Sequence, residues 1–310
     1  MKRRPTLLAS LIVLWFLPSI VGHTASSQVP SGALAILRRI PVQSNGRVKP
    51  LETFAKDALR LITGAARWEH QDPVETVLLM MADPETWQAR PMISIPFRPL
   101  REPLGMDVHT SAISYNDLVA SRKLMRMLPA IVQKQQRDEK LTMVEQETLD
   151  AFQRFVAISE LFEPESRIAM VPPPPGAMTV EWSPIEKSEG YSESPRQAFR
   201  SAWADLLTAI RTQNAEAMIA NAQRFQQLLR EANPSAYPRW RLSLEVAYNR
   251  WHPFQLVQVL YLIAFMMLVR ALMRPKQNRR ETRLGFLAYG AALVLHVTGI
   301  MTRVVIGGRP

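Results

Sequence analysis

Residues 253–306 read PFQLVQVLYLIAFMMLVRALMRPKQNRRETRLGFLAYGAALVLHVTGIMTRVVI. Two apolar runs enclose a short basic segment, and this stretch decides the fold class. The first run, 253–273, has 21 residues, long enough at 1.5 Å per residue to cross a hydrocarbon layer about 30 Å thick. The second run, 284–306, has 23 residues. The loop between them, 274–283, holds five basic residues. Short basic loops stay on the cytoplasmic side because moving them across the bilayer is costly.

Working outward from this pair, the chain has a second membrane signal at its start. Lys2, Arg3 and Arg4 precede an almost wholly apolar run from Leu7 to Val21. This is the pattern of a signal peptide or an uncleaved signal anchor over residues 1–25. A cleavage site after Ser26 is a poor one, with Thr24 three residues from the cut. The expected topology puts the N-terminus inside, residues 26–250 outside, the 274–283 loop inside and the C-terminus outside.

The charge supports this division. The chain has 310 residues and a net charge of +11, which invites a nucleic-acid reading. However, residues 2–4 and the last sixty residues hold 11 basic residues and 1 acidic residue, whereas the chain between them holds 27 and 26. The excess flanks apolar segments, so it describes membrane topology, and nucleic acid is not an expected partner. There is no cysteine, which excludes disulfides, thiolate metal sites and covalent haem attachment to this chain.

Residues 26–250 read as a mostly helical outer domain, so the fold class is mainly α with transmembrane helices. Ser44-Asn45-Gly46 marks a tight turn. Pro50 opens a helix with an apolar face at Leu51, Phe54, Ala55, Ala58, Leu59 and Ile62, and Gly64 stops it. Asp72 with Glu75 predicts a capped helix start, as does Ser114 with Asp117. A long helix is expected over 141–162. The Pro-rich stretch 164–195 reads as an extended connection across the surface. Helical pattern returns from Ala198 to about Glu231, with a break at Asn214. Strand signals are few, Met92–Phe97 being the best.

There is no P-loop, Rossmann fingerprint, nucleophile elbow or HExxH motif. The histidines, at 23, 70, 109, 252 and 296, have no spacing that suits a metal site on one helix. Nothing in the pattern points to hydrolytic or transfer chemistry.

Three segments together resemble the CcsA/ResC-type proteins of system II cytochrome c biogenesis, in the form with a long extracytoplasmic region. They are IPVQSNGRVKPLETFAKDALRLITG (40–64), YPRWRLSLEVAYNRWHPFQLVQVLYLIAF (237–265) and LHVTGIMTRVVIGGRP (295–310). The resemblance implies a bacterial inner-membrane protein, multi-pass, with its main domain on the periplasmic side. Its implied role is to move or present haem b outside the membrane for attachment to the CXXCH thiols of apocytochrome c. The chain would be a non-catalytic part of a haem-lyase system. Implied partners are WWD-containing CcsA-type and CcsB/ResB-type subunits and apocytochrome c. The tryptophan-rich WWD segment of that family is missing, because Trp15, Trp68, Trp87, Trp182, Trp203, Trp240 and Trp251 are scattered. The expectation is therefore the front part of a split system or a truncated product. The competing reading is a membrane-anchored scaffold that recruits apocytochrome or a partner subunit without binding haem.

Within this resemblance, four residues are candidate haem contacts. His296, twelve residues into the last apolar run, is either a ligand to haem iron or a neutral imidazole hydrogen-bonded to a neighbouring helix. His252 is either a ligand at the outer interface or part of an aromatic anchor. Arg303 and Arg309 either pair with haem propionates or snorkel to the interface. Many family members have a haem-ligating His where this chain has Arg309. Arg47 and Lys49 read as structural cations pairing with acids such as Glu52, or with a partner protein.

Overall fold

The computed structural model describes residues 27–273 and 279–307. The expected anchor, His23 and Arg309 lie outside the described residues. The described chain is mainly helical, with a helical domain and two C-terminal helices long and apolar enough to cross a membrane.

The domain is built around one helix that has no polar face. Helix α3 (Pro73–Ala82; α1 is Ser31–Leu37 and α2 is Leu51–Thr63) is buried at every residue. A helix apolar all round must sit inside a core. Asp72 caps it, its Oδ1 accepting from the N–H groups of Val74 at 3.0 Å and Glu75 at 3.4 Å. Glu75 does not complete a capping box. Its buried carboxylate instead accepts from the backbone N–H groups of Gln28 and Val29. At the other end, Arg211 Nε donates to the carbonyl of Ala82 at 2.7 Å, which satisfies an orphan carbonyl and complements the helix dipole.

Two antiparallel partners, α10 (Glu193–Arg211) and α11 (Ala215–Ala232), cover this core. Asn214 marks the break as expected, its side chain accepting from Ala217 N–H at 3.1 Å. Trp203 and Phe225 pack between them with ring centroids 5.0 Å apart. The long helix α8 (Met143–Phe162; α7 is Lys123–Gln136) starts with a full capping box between Thr142 and Glu145.

The strands depart from expectation. The Ser44–Arg47 turn closes a hairpin, β1 (Pro41–Ser44) with β2 (Arg47–Pro50), and Asn45 and Gly46 both have positive φ, the conformation a two-residue hairpin turn demands. The sheet continues with β5 (Ala169–Val171) and β6 (Ser183–Pro184), in the order β2-β1-β5-β6. So the Pro-rich stretch is not one surface connection. Met170, Val171 and Ile185 within it are buried. Of Met92–Phe97 only Ile93–Ser94 (β3) is strand, paired with Ala112–Ile113 (β4).

The helix α12 (Arg239–Trp251) leads to the apolar pair α13 (Pro253–Met273) and α14 (Arg279–Gly307). Residues 279–283, expected in the loop, form the start of α14 instead. The two helices meet along a seam of period seven. Val257, Ala264 and Ala271 are buried on α13, and Gly285, Ala292, Gly299 and Ile306 on α14. A seven-residue repeat keeps one stripe of each helix facing the other in a left-handed pair. Small residues let the backbones approach. A Cβ at Gly285 would lie 2.9 Å from Leu268, and one at Gly299 would lie 3.4 Å from Phe254.

Two outcomes follow for the domain. Trp203→Ala removes a fully buried ring and should cost about 3–5 kcal/mol, lowering the thermal midpoint. Trp203→Phe should recover part of the loss, since Trp203 Nε1 makes no hydrogen bond among the described residues. Glu145 is held down to about 2 by its hydrogen bonds with Lys134 and Thr142. A depressed folded-state value means its contribution is present above the ordinary value of 4.5 and disappears as pH falls towards 2. Amide exchange in α7 and at the start of α8 should rise in that window, and Glu145→Gln should abolish the pH dependence.

Candidate functional site

The three segments singled out in the sequence meet at one place. Arg47, the first residue of β2, forms a fork-to-fork pair with Glu245 of α12, with both N···O distances 2.9 Å. Its Nη1 also donates to the carbonyl of Ile306 in the last turn of α14, at 3.2 Å. Thr53 in the first turn of α2 donates to Glu245 at 2.7 Å, and Asn249 Nδ2 donates to Thr53 at 3.0 Å. One arginine thus joins the hairpin, the helix before the long apolar pair, and the end of that pair. Expected pairing with Glu52 does not occur. Glu52 bonds Lys56 at 2.7 Å, and Lys49 bonds Asp57 at 2.9 Å.

Beside this junction lies a cleft of about 400 Å³ between α2, the residues after it, the α12–α13 corner and the end of α14. That volume is within the range of small-molecule sites, roughly 300–1,000 Å³. Lys56, Arg60, Arg67 and Arg303 line it, with Asp57 as the one carboxylate in the wall. Asp57 is already shared between Lys49 and Arg60, the latter at 3.7 Å. Arg67 and Arg303 make no ion pair among the described residues, and both are exposed. The rest of the wall mixes the aromatic rings of Tyr248 and Phe254 with the polar side chains of Thr53, Asn249 and Gln255. The Tyr248 hydroxyl is buried and without a hydrogen-bond partner among the described residues. Arg303 stands over the Tyr248 ring, 5.7 Å from its centroid, within cation–π range.

His252 lines this cleft and is exposed. It occupies the break between α12 and α13 in the left-handed region, with φ 46° and ψ 56°. Its carbonyl accepts from Gln255 N–H at 2.9 Å. His296 does not line the cleft. It is half-buried between the two long apolar helices, with Nδ1 3.4 Å from Tyr261 Oη and its ring edge-to-face with Phe254 at 5.7 Å. An aromatic row therefore runs from the cleft into the helical pair: Tyr248, Phe254, His296, Tyr261 and Tyr289. Of the four candidates, His252 and Arg303 come together, His296 lies one aromatic ring away, and Arg309 is outside the described residues. His70 and His109 are exposed elsewhere.

Among the described residues no group of three His, Asp or Glu side chains could hold a bare metal ion. The lining joins cations to two aromatic rings, a combination suited to an anionic, amphipathic group. Guanidinium forks match carboxylates, the two aromatic rings match an apolar ring, and His252 offers one imidazole. Sequence reasoning missed Arg67, Arg60, Lys56 and Tyr248, because only the packing of α2 against α12 brings residues 56–67 beside residues 248–255. No protein-family model matches the chain, and no curated protein matches it.

Arg47→Ala leaves the carboxylate of Glu245, only 7% exposed, without its counter-charge. Such a loss should cost roughly 2–3 kcal/mol, below the fully buried case because Arg47 itself reaches solvent. Thermal unfolding should show a lowered midpoint for Arg47→Ala and Glu245→Gln, with Arg47→Ala/Glu245→Gln losing less than the sum of the two changes.

Proposed function

We propose that this chain is a haem-handling membrane component of cytochrome c maturation, of the CcsA/ResC-like kind. In this reading the helical domain and the cleft lie on the extracytoplasmic side of a bacterial cytoplasmic membrane, with the basic residues 274–283 inside. Positive residues on short loops favour that orientation. The observation that carries the reading is the convergence of the three family-like segments on one cleft, where Arg67 and Arg303 have no ion-pair partner among the described residues and stand near the rings of Tyr248 and Phe254.

Each part of the cleft has a task in this reading. Arg303 and Arg67 hold propionates at the edge of the membrane pair. Tyr248 and Phe254, set at 80° to one another, would give the porphyrin an apolar face and an apolar edge to rest on. His252 offers a nitrogen to the iron, and the aromatic row down to His296 gives an apolar route along the helices. Bound haem would supply the group that becomes joined to the CXXCH thiols of apocytochrome c. This chain, having no cysteine, cannot keep haem covalently through a thioether. Its part is to hold and present haem alongside WWD-containing CcsA-type and CcsB/ResB-type subunits, and it makes no bond itself.

The test is the absorption spectrum of the detergent-purified chain after co-expression with the rest of a system II apparatus and its removal. The expected result is a Soret band that weakens or shifts in His252→Ala and in Arg303→Gln but persists in His296→Ala. A colourless wild-type protein overturns direct haem binding and leaves the scaffold reading, in which the same domain recruits apocytochrome or a partner subunit.

A further inference from the structure

The helix α12 has two faces with different fates. Leu242 and Glu245 are buried, and Asn249 bonds Thr53, so this side packs on β2, α2 and the end of α14. The opposite side is open. Trp240 is 58% exposed and Trp251 80% exposed. They are eleven residues apart, which at 3.6 residues per turn puts them within about 20° of each other around the helix. Leu244 and Ala247 lie on the same line between them. Arg239 and Arg250 border this stripe on one side and Arg241 on the other, all three exposed and with no ion pair among the described residues. The one acid of the helix, Glu245, is on the buried side and already paired.

The position of the stripe identifies its occupant. Trp251 is two residues before Pro253, the first residue of a helix long enough to cross a bilayer, so it sits at membrane-interface depth. If α12 continued outward along the bilayer normal, Trp240 would stand about 16 Å further into water, at 1.5 Å per residue. A fully aqueous side gives no reason for a second large ring and an apolar line on the same face. The chain also turns at His252, whose left-handed backbone ends α12 before α13 begins. Tryptophans on one face with arginines along its borders are the signature of a helix lying in the interface between headgroups and acyl chains.

We propose that α12 lies in the plane of the membrane surface, its Trp240–Leu244–Ala247–Trp251 stripe immersed at the headgroup boundary and Arg239, Arg241 and Arg250 on lipid phosphates. The lipid surface then supports the floor of the cleft, because the side of the helix opposite the stripe carries Asn249 and its flank carries Tyr248, both of which line the cleft. This docking requires α13 and α14 to be in the bilayer. It does not depend on haem.

The chain has no cysteine, so a single introduced thiol can be spin-labelled without background. The full chain is placed in nanodiscs containing anionic phospholipid, with one label at a time at Trp240→Cys, Ala247→Cys, Trp251→Cys, Phe265→Cys within α13, and Gln223→Cys on an exposed face of α11. Collision with dissolved oxygen and with a water-soluble nickel chelate is measured for each. The expected result is that 240, 247 and 251 share one depth, with severalfold higher oxygen-to-nickel accessibility than 223 and lower than 265. Arg239→Gln/Arg241→Gln/Arg250→Gln should shift the 240 label towards water and leave 265 unchanged. A 240 label as nickel-accessible as 223 overturns the proposal, as does one shielded from both reagents, which would put protein on that face. A nickel-accessible 265 label would remove the membrane helices and the docking together.

Discussion

The placement of the cleft depends on the Arg47–Glu245 pair. A planar guanidinium meets a carboxylate through two parallel bonds, and the same guanidinium reaches the carbonyl of Ile306. That carbonyl lies in the last described turn of a helix, and the residue four places on, Pro310, has no N–H to offer it. The contact spans elements nearly two hundred residues apart on one side and more than two hundred and fifty on the other. Burial of Glu245 makes the pairing obligatory, because an unpaired buried carboxylate is far more costly than a surface one. With α12 held this way, the α12–α13 corner is fixed against the start of α2, and the cleft is the space the two leave between them.

The cleft holds two charges that differ in kind from those at the junction. At the junction every charge has a partner: Arg47 with Glu245, Lys49 with Asp57, Lys56 with Glu52. In the cleft Arg67 and Arg303 have none among the described residues, and Arg303 rests on the Tyr248 ring. The aromatic row from Tyr248 to Tyr289 then gives the helical pair a polarisable, weakly polar seam above its small-residue packing. Gly299, one member of the period-seven stripe, is what leaves room for the Phe254 ring at that seam. Local packing in the membrane pair and the chemistry of the cleft are therefore linked through one side chain.

Much of the helical content was legible because it is written locally. Asn45-Gly46 dictates its turn through positive φ, Gly64 stops α2 in the left-handed region, and Asp72, Ser114 and Asn214 cap helices with side-chain oxygens within three residues. The sheet was not legible. β1 is four residues long and β5 three, too short to show alternation, and they pair across more than a hundred residues. The role of Glu75 was misread for the same reason. Three-residue spacing suggested a reciprocal cap, but the nearest unsatisfied donors to a buried carboxylate were the N–H groups of Gln28 and Val29.

By itself, the sequence determined that two long apolar helices end this chain, that a helical domain precedes them, and that no thiol chemistry is available. Those are properties of composition and of periods of a few residues, and they do not depend on where distant segments go. Tertiary structure alone decided that Arg47 pairs with Glu245 rather than with Glu52, and that His252 shares a cleft with Arg303 while His296 turns to Tyr261. It also decided that Arg60 and Arg67 belong beside them. A charge carries no information about its partner until the fold has removed water from between them, and here that selection was made by the packing of β2, α2, α12 and α14 around a single buried carboxylate.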